Sequence, residues 1–166
     1  VDYQNDFVSG SLGFEKAKTL ELGIANKINS YHVNGDDVIF TLDTHYDDYM
    51  DSYEGKHLPV PHCIENTDGH KLYGSVADCV SGEDIVFRKT AFGSDALYEY
   101  LKTACYGSVE LVGVVTNICV VANAVLAKTA LPDADIIVDS MLTASNDERL
   151  HNAALDTMEG MQIIIK

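Results

Sequence analysis

Glu110-Leu111-Val112-Gly113-Val114-Val115 runs straight into Thr116-Asn117-Ile118-Cys119, and this stretch decides the fold. Apart from Glu110, the first six residues are apolar on both alternating faces, as in a strand buried inside a parallel sheet. Beyond Cys119, Ala122 is followed three and four residues on by Val125 and Leu126, which marks one face of a helix. A strand passing directly into a helix puts Cys119 at a helix start. There the first N–H groups lack partners and carry partial positive charge, so they favour a thiolate and can hold an oxyanion, here through the N–H groups of Val115 and Cys119. A lone cysteine in such a place is more often a small buried hydrophobe. Its chemistry therefore depends on what the rest of the chain brings beside it.

Working outward, residues 37–42 (DVIFTL), 84–87 (DIVF), 135–138 (DIIV) and 162–165 (QIII) share the apolar, β-branched character of buried strands. Between them lie helical patterns. Phe14, Ala17, Leu20, Ile24, Ile28 and Tyr31 form one apolar face, and Leu97, Leu101 and Ala104 a shorter one. A last helix fits residues 147–158, with Asn146 or Ser145 as N-cap. Strand–helix alternation of this kind predicts an α/β fold, a doubly wound, mostly parallel sheet covered on both faces, in a single domain over residues 1–166. The departure is residues 44–81, which hold Pro59, Pro61 and four of the six histidines; a loop of that length in a compact domain is usually functional. A first strand ending at Asp2 would need apolar residues ahead of Val1, so the strand is expected to begin before the sequence given.

Composition narrows the function classes. With 166 residues and 46% apolar content, the chain can bury a full core, and no apolar run approaches membrane-spanning length. A formal charge of −15 repels nucleic acid and anionic membranes, which excludes both as partners. Cys63, Cys79, Cys105 and Cys119 show no C-x-x-C spacing and read as reduced thiols of a cytoplasmic protein.

Three residues fall at strand ends on the carboxyl edge of the predicted sheet, where doubly wound folds gather ligands. Asp2 follows the first strand, Lys89 the run 84–87, and Cys119 the run ending at Val115. Asp2 is suited to take the thiol proton and return it to a leaving group. Lys89 supplies positive charge that would depress the cysteine pKa and orient the carboxylate. Taken singly, each has a plain structural reading, as surface lysine, turn aspartate or buried thiol.

The long loop offers a second constellation. Asp43 and His45 are two apart at a strand end, so their side chains can point the same way; Glu54 and His62 follow. Two imidazoles and two carboxylates suit a divalent first-row transition metal, zinc first, with iron and manganese also suited. D-x-H pairs are equally common as ordinary loop polarity. His57 rivals Glu54 for the third position, His70 reads as a surface residue, and His32 and His151 read as helix-end residues without a catalytic role.

Val1-Asp2-Tyr3-Gln4-Asn5-Asp6-Phe7, Lys89-Thr90-Ala91-Phe92 and Gly113 to Cys119 come in the order and spacing of the D-x-Q-N-D-F, K-x-x-(S)-A-F and G-V-x-T-x-x-C motifs. In these the chain resembles the isochorismatase-like cysteine hydrolases. The resemblance implies an Asp2–Lys89–Cys119 triad and a cis peptide bond at Val114–Val115. Asp43, His45, Glu54 and His62 are similar to the metal ligands of that family's nicotinamidase branch, where the metal holds the pyridine nitrogen of nicotinamide. The implied activity is metal-dependent hydrolysis of nicotinamide to nicotinate and ammonia, as in NAD salvage, with Phe7, Leu58 and Phe92 walling the substrate pocket. A homo-oligomer is implied as well. The chain departs from the branch after Pro61-His62-Cys63, where a G-T-x-G-like turn is replaced by Ile64 to Gly69, and in having no tryptophan. Two other readings stay open: a metal-free amide or ureido hydrolase on the same triad, and a catalytically silent interaction protein.

Overall fold

The structure, a computed structural model, describes residues 1–166. Two short helices, α1 (Asn5–Val8) and α2 (Glu15–Lys18), precede the long α3 (Glu21–Asn34), which leads into β1 (Ile39–Asp43). The expected long loop follows, but it carries a turn of 3-10 helix at Tyr49–Asp51 and two helices, α4 (Tyr53–His57) and α5 (Gly74–Asp78). Then come β2 (Ile85–Lys89), α6 (Asp95–Ala104), β3 (Ser108–Val114), a π-helical turn at Thr116–Val120, α7 (Val121–Ala130), β4 (Asp135–Ala144), α8 (Glu148–Gly160) and β5 (Ile164–Ile165).

All strand pairs are parallel. β1 pairs with β2, and β3, β4 and β5 form a second ladder in that order. Val1 and Asp2 join the two ladders. The Val1 nitrogen donates to Val112 O at 2.8 Å, Val114 N donates to Val1 O at 3.1 Å, and Asp2 N donates to Thr41 O at 3.1 Å. The strand expected to end at Asp2 is thus represented by two residues with strand-like bonding, and they set Asp2 between the ends of β1 and β3. Gly113 makes this approach possible: its φ is +116°, and a Cβ there would collide with the Val1 carbonyl.

Alternation along β3 sends side chains to two apolar clusters on opposite faces. Val112 and Val114 meet Tyr3, Ile24, Ile28 and Phe40 under α3, whereas Leu111 meets Leu101, Ala124, Ile136 and Met158 under α6, α7 and α8. The sheet is covered on both sides, as the sequence predicted.

The details differ in four places. β2 is an edge strand with Val86 and Arg88 exposed, so it is not apolar on both faces. β4 runs ten residues rather than four, because it pairs with β3 again beyond a register shift, at Gly113–Thr143 and Val114–Ala144. The face from Phe14 to Tyr31 is split into α2 and α3, where Thr19 Oγ1 folds back onto Lys16 O at 2.7 Å. The N-cap of α8 is Asp147, which accepts from Leu150 N at 3.0 Å; Ser145 instead accepts from Asp147 N at 3.2 Å.

Candidate active site and metal centre

The register of β1 against β2 sets Asp43 opposite Lys89, so both side chains leave the sheet edge together. Lys89 Nζ lies 2.7 Å from Asp2 Oδ2, 3.1 Å from Asp43 Oδ1 and 3.6 Å from Cys119 Sγ. All four residues are buried. Thr41 Oγ1 donates to Asp2 Oδ1 at 2.6 Å, whereas Asp2 Oδ2 makes an ion pair without a directed hydrogen bond. One carboxylate oxygen is therefore held by Thr41 and the other by the Lys89 ammonium, with the Cys119 thiol within hydrogen-bonding reach of the carboxylate.

The electrostatics correct one expectation. Burial pushes the Cys119 thiol well above its ordinary value of 9.0, and the neighbouring Asp2 pushes it further, against the pull of Lys89. Desolvation and a carboxylate thus outweigh one ammonium, and the surroundings favour the thiol over the thiolate. Burial also works against the charge on Lys89, but Asp2, Cys119 and Asp43 outweigh it and keep the lysine an ammonium. Asp43 resists burial likewise: bonds from His45 and His62 and the charge of Lys89 hold it well below the carboxylate range.

Cys119 sits in the π-helical turn that joins β3 to α7 rather than at the first turn of a regular helix. The Val114–Val115 peptide is cis, and the Val115 N–H meets no acceptor within the protein. Ile118 N and Val120 N both donate to Val115 O, at 3.1 and 3.2 Å. From the α7 side, buried Asn123 donates to Cys119 O at 2.8 Å and Phe92 O at 3.1 Å, and accepts from Ser94 N at 2.9 Å. That one amide joins the cysteine turn to the segment after Lys89. Its signal in the sequence is its place four residues past Cys119, one helical turn on.

The metal-type donors lie next to this group and share Asp43 with it. Asp43 Oδ2 is 3.1 Å from His45 Nε2 and 3.4 Å from His62 Nε2. Glu54 adds its two oxygens at 3.9 Å from His45 Nε2 and 3.6 Å from His62 Nε2. Asp43, His45 and His62 alone form a buried trio whose ligand atoms lie within 4.8 Å of one another. Two imidazole nitrogens and two carboxylates converging at such distances fit a divalent transition metal. Tyr49 and Phe7 pack on the histidines, with the Tyr49 ring 4.7 Å from His45 and the Phe7 ring 5.4 Å from His62. His57 is not part of the group: its ring stacks on Tyr53 at 4.2 Å and its Nδ1 meets Tyr53 O at 2.8 Å.

Of the pocket residues, Phe7 is buried against His62, whereas Leu58 and Phe92 are 37% and 49% exposed at the surface. A cavity of about 520 Å³ lies behind Asp2 between β1 and β3, lined by Ile28, Leu101 and Val112 among others, and not over Cys119.

Several positioning residues escaped the reading of the sequence. Gln4 donates to Asp43 O at 2.9 Å and accepts from Asp43 N at 2.8 Å, and Asp6 accepts from Cys63 N at 2.8 Å, just after His62. Both belong to the opening motif, in which the sequence pointed only to Asp2 and Phe7. His70 is buried, not superficial, and pairs with Thr44 Oγ1 at 2.8 Å, because the loop folds over the sheet edge. His151 is likewise buried, on the inner face of α8. His32 pairs with Asp84 at 2.8 Å, away from the site.

An α/β protein with a buried cysteine, carboxylate and lysine at the carboxyl edge of its parallel strands is the class that fold and site define. The chain belongs to the isochorismatase family: the Isochorismatase domain matches residues 1–165. It is 33% identical over 167 residues to an "uncharacterized isochorismatase family protein PncA" of Bacillus subtilis (strain 168), covering 93% of this chain and 89% of that protein. Among solved structures it is similar to a pyrazinamidase/nicotinamidase from Streptococcus mutans UA159, with 29% identity, a TM-score of 0.88 and 99% and 96% of the two chains covered. Nicotinamidase PncA from Bacillus subtilis is similar to the same degree, with 28% identity, a TM-score of 0.87 and coverages of 99% and 94%. No helix is long and apolar enough to cross a membrane.

Proposed function

We propose that this protein hydrolyses nicotinamide, or a close aromatic carboxamide such as pyrazinamide, to the carboxylate and ammonia, in the cytoplasm and in the service of NAD salvage. The observation that carries the reading is Lys89, whose ammonium lies 2.7 Å from Asp2, 3.6 Å from Cys119 and 3.1 Å from Asp43 of the metal-type quartet. A thiol–carboxylate pair for amide cleavage and a nitrogen-seeking metal site are thereby built as one unit. The likeness to the solved nicotinamidases supports the same reading.

Asp43, His45, Glu54 and His62 would hold the ion, zinc by preference, with iron or manganese also suited to the donors. When bound, it supplies a Lewis-acid partner for the ring nitrogen, which fixes the direction of the carboxamide. The Asp2 carboxylate takes the proton of Cys119 as sulfur attacks the amide carbon. Proton transfer coupled to attack suits a thiol whose resting pKa is raised, since no free thiolate need accumulate. Val115 N–H, free of other partners, donates to the developing oxyanion together with Cys119 N–H. Lys89 stays charged throughout and holds Asp2 in place. Asp2 then gives the proton to the departing nitrogen, the C–N bond breaks, and ammonia leaves a thioester on Cys119. Water enters, loses a proton to Asp2 and attacks the thioester; the C–S bond breaks, the proton on Asp2 returns to sulfur, and the acid departs, ionising to carboxylate by release of its proton to solvent.

The test is ammonia release from nicotinamide by the protein with and without a chelator, beside the Cys119→Ala variant. We expect turnover that falls on chelation, and at least about a thousandfold loss in the variant with metal content unchanged. Turnover untouched by removal of a stoichiometric metal would support a metal-free amidase instead; turnover retained by Cys119→Ala would overturn the mechanism.

A further inference from the structure

We propose that His151 is a positioning residue for the cysteine turn, acting through Thr116; this rests on the reading of Cys119 as nucleophile. Thr116 is the first residue of the π-helical turn and follows Val115, whose N–H is the free oxyanion donor. Its hydroxyl lies 2.9 Å from His151 Nδ1 and 2.9 Å from Thr143 Oγ1, and all three residues are buried. A hydroxyl has one hydrogen to give, so two partners at bonding distance fix its rotor and the residue that bears it. Those partners come from α8 and β4, elements distinct from the one that carries the cysteine.

The turn is held at three successive points. His151 and Thr143 hold residue 116, Ser145 Oγ donates to Asn117 Oδ1 at 2.6 Å, and Asn123 holds the Cys119 carbonyl at 2.8 Å. The point at 116 is the nearest to the oxyanion donor. Burial, aided by the charge of Lys16, lowers the His151 pKa and keeps the ring neutral. A neutral ring can give or take the single hydrogen, so either tautomer completes the chain with Thr143. A buried imidazole without this bond would cost desolvation that an apolar side chain of similar size avoids. The polar ring therefore has a task beyond filling space.

The test is a double-mutant cycle on nicotinamide hydrolysis with His151→Leu, Thr116→Val and the pair together, beside His151→Asn and His151→Gln. Asparagine places an amide where Nδ1 stands; glutamine does not. We expect His151→Leu to lower kcat by roughly 10- to 100-fold with KM within about twofold, the scale of a misplaced catalytic group. The double variant should be no worse than the worse single one, and asparagine but not glutamine should restore most of the loss. Additive losses, equal behaviour of Asn and Gln, or a fall in Tm with kcat intact would overturn the role. Should the parent protein release no ammonia, the function proposed above fails. The same cycle is then read on alkylation of Cys119 by iodoacetamide, where coupling of His151 to Thr116 again stands or falls on non-additivity.

Discussion

Lys89 Nζ is shared by two carboxylates, Asp2 at 2.7 Å and Asp43 at 3.1 Å, in a region from which water is largely excluded. Lys89→Met would leave two buried carboxylates facing each other without a cation. Stability should drop by about 3–5 kcal/mol, the usual penalty for stripping one partner from a buried ion pair. Urea unfolding of the metal-free protein measures it, and a loss below 1 kcal/mol would show the carboxylates to be independently solvated. Asn123 is the other residue whose loss should register, since it satisfies three backbone groups at once. Asn123→Ala should cost about 1–3 kcal/mol in the same experiment, because Ser94 N, Phe92 O and Cys119 O are each left without that partner.

At the scale of the element, α4 is what brings a carboxylate to the histidines. Ser52 caps it by accepting from Gly55 N at 2.9 Å, and the helix turns Glu54 toward His45 and His62 while His57 faces Tyr53. The sequence left Glu54 and His57 as rivals, since residues three apart share one side of a helix; what separates them is that the His57 ring turns back onto Tyr53, with Nδ1 2.8 Å from Tyr53 O. Glu54→Ala should therefore weaken metal binding by roughly tenfold or more, as loss of one of four donors would, whereas His57→Ala should leave stoichiometry and affinity unchanged. Competition with a metallochromic indicator distinguishes them, and equal effects would mean that α4 rearranges around the ion.

Across the whole molecule, Glu110 on β3 ties α3 to the sheet at the end remote from Cys119. Lys27 Nζ reaches its Oε1 at 2.7 Å and Tyr31 donates to its Oε2 at 2.6 Å. Burial alone would raise the Glu110 pKa, but these two bonds outweigh it and hold the carboxyl below its ordinary 4.5. A carboxyl that folding depresses contributes fully above its unfolded value and loses that contribution as the pH falls through the folded one. Glu110→Gln should thus lower stability by about 1–3 kcal/mol at neutral pH, with the gap to the parent narrowing as the pH drops below the ordinary carboxylate range. Denaturant unfolding at neutral and acid pH checks the sign. A gap that stays constant across that range would rule out the ionised carboxylate as its source.

By itself the sequence determined the alternation of strands and helices, because apolar periodicity is a local property and each run carries it within ten residues. It also marked the sheet edge on which Asp2, Lys89 and Cys119 would end, since a parallel sheet sends every strand terminus of one kind to one side. What it could not carry was distance between segments remote in the chain. The turning of Glu54 toward the histidines, the burial of His70 and His151, and the contacts of Gln4, Asp6 and Asn123 all depend on which groups another segment brings near. The protonation of Cys119 belongs with them. A helix start and a lysine argue for a thiolate, but the pKa is a sum over burial and every nearby charge, and only the folded chain sets burial against Asp2 and Lys89 at their actual separations.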